Sequence, residues 1–159
     1  MRKHALLITS LFLLGLATVL NGQSDDQPRW NTTLFGVFAF GDGVHSGIGG
    51  ALGYSFAPPL ELEGEVYIIS TEDRMCYGVS GVLLYNIVLS DNKSFTYLLG
   101  GFSMLGAIRG RGGPDAFLML GGGFKFAIKE NLKIRFDLRW HPAEDGWMRL
   151  TTGLMWTFD

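Results

Sequence analysis

Glu61, Glu63 and Glu65 stand at every second position of the stretch "ELEGEV" (61–66). In a strand all three carboxylates point the same way, with neighbours about 7 Å apart from the rise per residue. That separation is compatible with paired acid–base work. The stretch "NLKIRFDLRW" (131–140) repeats the pattern with mixed sign: Lys133, Arg135, Asp137 and Arg139 alternate with Leu132, Ile134, Phe136, Leu138 and Trp140. Lys125 and Arg149 stand on the like face of the two flanking segments. Carboxylates that meet so many cations form a salt-bridge network more readily than a catalytic pair. We therefore read Glu61, Glu63, Glu65, Lys125, Lys133, Arg135, Asp137, Arg139 and Arg149 as one charge network.

Other chemistry-bearing motifs point nowhere stronger. "GIGG" (47–50) and "GGG" (121–123) lack the lysine and the helix of a phosphate loop. "RGRGG" (109–113) is a single copy in an expected surface loop, not a nucleic-acid-binding repeat. His45 and His141, without nearby cysteines, do not make a zinc site. Cys76 is the single cysteine, so no internal disulfide forms. No catalytic residue, metal or cofactor is expected.

The elements that must carry these residues are strands. The chain has 159 residues, with 23 glycines, five prolines and 13% aromatics. After the first twenty or so residues, no stretch keeps a 3.6-residue apolar period long enough for a helix. Instead, eight segments separated by turn signals, 31–40, 45–56, 60–70, 75–89, 93–104, 115–128, 131–140 and 147–158, have the spacing of an all-β chain. The connections after the second, fourth and sixth are tight: Ala57-Pro58-Pro59, Ser90-Asp91-Asn92 and Lys129-Glu130. Those after the third, fifth and seventh are mostly longer: Thr71–Arg74, "LGAIRGRGGP" (105–114) and "HPAEDG" (141–146). Gly41–Val44, after the first, is brief. Short turns at one end and longer loops at the other are the plan of an outer-membrane barrel.

The N-terminus reads Met1-Arg2-Lys3-His4, then an uncharged run from Ala5 to Leu20, then Asn21-Gly22. A basic start, an apolar core and a small residue at the exit read as a secretory signal peptide over 1–22; sixteen apolar residues fall short of the ~20 of a membrane helix. Its removal takes Lys+Arg from 13 to 11 against 15 Asp+Glu, a net charge of −4. No basic excess remains to attract nucleic acid. Residues 23–30 are then a short periplasmic segment, and 31–159 the barrel.

Which face of these strands is outside is decided by the aromatics. With strands running alternately up and down, Tyr54, Phe56, Tyr85, Phe95, Tyr97, Phe124, Phe126, Trp156 and Phe158 are expected on the uncharged face near the turn end. Tyr77 and Trp140 belong to the loop end of that face. Two belts flanking an aliphatic band match the girdles of a transmembrane barrel. The opposite faces hold glycines (Gly47, Gly49, Gly53, Gly121, Gly123) among the charges, which suits an eight-stranded barrel filled by its own side chains. The expected fold is all-β, an eight-stranded antiparallel up-and-down transmembrane β-barrel.

The run "GGGFKFAIKENLKIRFDLRW" (121–140), the strand "GIGGALGYSF" (47–56) and the ending "TTGLMWTF" (151–158) resemble the small eight-stranded outer-membrane β-barrels. These are similar to the transmembrane domain of outer-membrane protein A and to porin-like opacity barrels. Such barrels usually end in an aromatic residue recognised during assembly; here Phe158 is followed by Asp159. No peptidoglycan-binding domain follows, so a cell-wall tether is not expected. The resemblance implies a cell outer-membrane location, a structural or surface-interaction role, and contact with outer-membrane lipids, lipopolysaccharide and the barrel-assembly machinery. An extracellular partner would meet the loops, and a monomer is expected. The alternatives are a narrow-channel porin, a lipid A-modifying barrel enzyme, and a secreted lipocalin-like ligand carrier. The enzyme would need a lipid-facing His and Ser at the outer rim. His141 lies at that end, but residue 143 is alanine, and the adjacent His45 and Ser46 point to opposite faces.

Overall fold

The computed structural model describes residues 29–158, except 42, 58, 72–73, 89–93, 109–112 and 143–145. The expected signal segment therefore lies outside the described residues, as do the turn at 90–92 and most of "RGRGG".

Alternating sequence becomes strand throughout the described chain. The strands are β1 (Arg29–Phe40), β2 (Val44–Ala57), β3 (Leu60–Ser70), β4 (Met75–Val88), β5 (Ser94–Ala107), β6 (Asp115–Lys129), β7 (Leu132–His141) and β8 (Trp147–Phe158). Each pairs antiparallel with the next, and β1 pairs with β8, so the sheet closes into a barrel with no free edge. Closure matters because an open edge would leave a row of unpaired N–H and C=O groups. Register partners followed once round, from Trp30 through Tyr54, Leu62, Leu83, Gly100, Leu120, Trp140 and Met148, return to Phe40, ten residues further along β1. That stagger tilts the strands and fixes a narrow interior.

Two boundaries differ from the sequence reading by more than one residue. Strand β1 begins at Arg29, so Arg29 and Trp30 belong to the barrel wall and not to a preceding segment. Strand β5 runs on to Ala107, which shortens the expected 105–114 loop. Two register shifts, at Ser55/Ala57 and Ala127/Lys129, both sit at the turn end, where an extra residue bends a strand into its hairpin. Gly146, with φ of 36°, takes a backbone conformation that side chains resist and leads into β8.

Inside the barrel, glycines face tyrosines. Gly78 is the register partner of Tyr67, and a Cβ there would stand 2.1 Å from Tyr67 Cζ. Gly123 is the partner of Tyr97, and a Cβ there would lie 2.6 Å from its hydroxyl oxygen. Each missing side chain lets a ring lie over the neighbouring strand and its hydroxyl reach the strand beyond, Tyr67 to Ser103 of β5 and Tyr97 to Asp137 of β7. The apolar part of the core is split in two. Phe35, Val37, Ala39, Ala51, Tyr67 and Ile69 form one cluster, and Val82, Leu84, Tyr97, Leu99 and Met119 the other.

Candidate functional site

Strands β3 and β7 are four strands apart in either direction round the barrel, so they face each other across the lumen. The glutamates of β3 meet cations of β7 and of its neighbours β6 and β8 in three tiers. At the turn end, Lys125 of β6 donates to Glu61 Oε2 at 2.7 Å and to Asn86 Oδ1 at 3.1 Å. Asn31 and Asn86 also donate to Glu61, at 3.0 and 3.2 Å. In the middle tier Arg135 pairs with Glu63 and, through Nε, with Asp137 at 2.9 Å. In the third tier Glu65 accepts from Arg139 Nη2 at 2.5 Å and Arg149 Nη2 at 2.7 Å. Asp137 ties the last two tiers together, accepting from Arg139 Nε at 2.5 Å as well.

Neutral side chains complete the frame. The Tyr97 hydroxyl donates to Asp137 Oδ2 at 2.9 Å and accepts from Arg135 Nε at 2.9 Å. Tyr67 shares a 2.8 Å hydrogen bond with Ser103, which also accepts from Ser80 at 3.0 Å. The Arg149 guanidinium lies 4.4 Å from the Tyr67 ring centroid, and that of Arg135 5.2 Å from the Tyr97 ring, each a cation over an aromatic face. Lys133 stands apart. It is half-buried at the turn end, its ammonium 4.8 Å from the Phe95 ring centroid, with no ion pair among the described residues.

Chemically, this arrangement is suited to bracing the lumen. Each of Glu61, Glu63, Glu65 and Asp137 is held by at least one cation. A carboxylate so held is a poor candidate for taking a proton from a substrate. Among the described residues, no group of His, Cys, Asp and Glu could hold a metal ion. The exterior is the reverse of the lumen. Leu34, Ile48, Leu52, Leu62, Val79, Leu98, Phe102 and Leu118 are exposed on successive strands from β1 to β6. No charge interrupts them at mid-height.

No family model matches the sequence, and no curated protein matches it. Solved structures do match. The N-terminal β-barrel domain of Pseudomonas aeruginosa OprF is similar with a TM-score of 0.64 at 17% identity, covering 83% of this chain and 100% of that one. Neisserial surface protein A gives 0.59 at 13% identity, over 86% and 100% of the two chains. The Yersinia pestis outer membrane protein Ail, in a phospholipid bilayer nanodisc, gives 0.55 at 16%, over 83% and 100%. This chain has the fold of a small outer-membrane β-barrel.

On that barrel the aromatic residues divide between the faces. Tyr54, Phe56, Tyr77, Tyr85, Phe124, Phe126, Trp140, Trp156 and Phe158 point outward. Phe95 and Tyr97 do not. Tyr97 is 1% exposed, and Phe95 shares its parity on β5, so both belong to the lumen and leave the expected girdle. The cause is local: β5 carries no charge to mark its inner face, and both of its faces are apolar enough to pass as the outer one. Trp30 takes a place in the outer belt instead, its ring tilted by 42° against that of Tyr54 with ring centroids 4.7 Å apart.

Asn31, Ser80, Asn86 and Ser103 are polar residues of the frame that sequence reasoning missed. Their signal was available in the alternation, since each has the inward parity of its strand. His141 was placed correctly at the loop end but faces inward. Its ring stacks on Trp147 at 3.7 Å between centroids, a cross-strand pairing that only the β7–β8 register reveals. His45 has the inward parity of β2. The lipid-facing histidine of a lipid A-modifying enzyme is therefore absent among the described residues.

Proposed function

We propose that this chain spans the outer membrane of a Gram-negative cell as a monomeric, non-enzymatic barrel. Its role is structural and surface-interacting, and its lumen is closed by its own polar side chains. One observation carries this reading: the two faces of the barrel are inverted relative to a soluble protein. Ile48 and Phe102 are 70% and 65% exposed, whereas Arg139 and Arg149 are 1% and 0% exposed. An apolar exterior on every strand is an aggregation surface in water. In hydrocarbon it is the required surface, and a closed ladder satisfies every backbone group there. Aromatic belts near both rims suit the two interfaces. The same exterior argues against a secreted lipocalin-like carrier, which needs a polar outside.

In this reading the turn end is periplasmic and the loop end extracellular. Lipids, with lipopolysaccharide in the outer leaflet, cover the wall, and the loops offer the surface for any extracellular partner. The assembly machinery meets the chain during insertion. A narrow channel is the second reading, favoured by the polar tiers along the barrel axis. The test of the main reading is fractionation combined with gel mobility. The protein should sediment with outer membranes, resist carbonate extraction, and migrate differently before and after boiling. Recovery as a soluble periplasmic or secreted monomer contradicts it.

A further inference from the structure

At the loop end of the lumen one titratable ring is packed away from every hydrogen-bond partner. His141 is fully buried, and neither of its ring nitrogens has a partner among the described residues. Its ring lies nearly parallel to the indole of Trp147, at 4° and 3.7 Å between centroids. Trp147 is the first residue of β8 and the register partner of His141. Two glycines define how Trp147 is held. Gly41, after β1, lies so near that a Cβ there would stand 3.2 Å from Trp147 Cβ. Gly146, directly before Trp147, has a φ of 36° and gives the chain a pivot at that point.

The charged groups round this ring fix what a proton on it would meet. Arg139 stands two residues back on the same face of β7, and its partner on β8 is Arg149. Glu65, from β3 across the lumen, already accepts from both guanidinium groups. Arg135, Arg139 and Arg149 are matched one for one by Glu63, Glu65 and Asp137. A proton on His141 is therefore the first uncompensated charge in these tiers. No acceptor is to spare either, because Arg149 Nε and Nη1 already lack one. On β6 the neighbour is apolar Met119, since Leu120 pairs with Trp140, and Asp115 is exposed further toward the loops. At the same end, β2 brings His45 with inward parity, and β1 brings Ala39. Asp42, Glu144 and Asp145 of the adjoining connections lie outside the described residues.

We propose that His141 and Trp147 form an acid-released latch over the loop end of the lumen. The neutral imidazole stacks on the indole and holds the mouth closed. A stacked imidazolium would gain a little from the indole face. Beside two arginines and away from water, it would lose more than that in hydration. The proton is therefore taken up by the released, solvated ring, as in an ordinary histidine at about pH 6.5. Above that value the closed form is favoured in full. Below it, each pH unit shifts the balance about tenfold toward the released form, which carries one proton more. Release lets Trp147 swing about Gly146 and admits water from the loop end to the tier of Glu65, Arg139 and Arg149.

The test uses the full barrel, uniformly labelled with nitrogen-15 and refolded into lipid nanodiscs. The His141 ring and Trp147 indole N–H resonances are followed from about pH 8 to about pH 4.5, a range that brackets histidine titration. The expected result is one reversible, one-proton transition shared by both residues and centred below about pH 6.5. His141→Phe keeps a ring against Trp147 and removes the proton, so Trp147 should then stay still throughout. His45→Phe removes the other histidine of this end and should leave the transition in place. The shared curve is read on the native barrel, so it decides even if a substitution prevents refolding. A Trp147 signal unchanged over the whole range, or His141 titrating while Trp147 stays still, overturns the latch. So does a transition that persists in His141→Phe or vanishes in His45→Phe.

Discussion

Arg135 sits where the lumen brace is most interdependent. It contacts Glu63 on the opposite wall, Asp137 on its own strand and the hydroxyl of Tyr97. Removing one partner of a buried ion pair leaves the other charge stranded, which costs far more than the pair itself contributes. Arg135→Leu should therefore lower unfolding stability in lipid vesicles by about 3–5 kcal/mol. Arg135→Lys keeps the charge and loses the planar fork, so it should cost much less. Equal losses in the two variants, read from denaturant midpoints, would show that charge is not what the site needs. Tyr97 gives an independent check on the same frame. Tyr97→Phe deletes one donor to Asp137 and one acceptor for Arg135, and should cost about 1–3 kcal/mol. A lipid-facing tyrosine at the turn end would lose little on that change. The loss therefore reports which way β5 faces.

Strand β7 shows what alternation can and cannot convey. Its charged and apolar positions differ so sharply that the face of each residue could be read from residues 131–140 alone. Glu61, Glu63 and Glu65 mark β3 equally well. Strand β5 has no such marker. "SFTYLLGGFSMLGA" (94–107) offers Phe95, Tyr97 and Leu99 on one face and Leu98, Phe102 and Met104 on the other. With hydrophobicity balanced, only the lumen's need for a hydroxyl beside Asp137 fixes the choice, and that need is a tertiary fact. Trp30 was hidden for a different reason, because the polar run before it gives no sign that β1 starts at Arg29. The ion pairs themselves were legible as a set, but the pairing of each cation with its carboxylate depends on closure and stagger. A substitution on β7 separates its two faces energetically. Phe136 is exposed on the outside near mid-strand, between Asp137 and Arg135, which are buried. Phe136→Arg should cost ~2–4 kcal/mol on refolding into lipid, the range for a cation on the lipid face at the midplane. An unchanged midpoint would place that position in water.

At the scale of the whole molecule, eight strands with a ten-residue stagger enclose a lumen just wide enough to be filled by side chains. Large arginines and tyrosines meet inner-face glycines there, so the filling is tight where the strands come closest. Planar-bilayer recordings should therefore show no large steady conductance, only small or intermittent events. A stable porin-sized current would mean that the braced tiers open as a unit. The central claim is simpler than any of these: the greasy outside of the barrel meets lipid. Spin labels placed singly at positions 134, 136, 138 and 140 of β7, in a Cys76→Ser background, measure it directly through collisions with oxygen and with a water-soluble nickel chelate. High oxygen and low nickel accessibility at all four, with the oxygen maximum near position 136, is the predicted result. High nickel accessibility at those positions would put the apolar face in water and contradict the account.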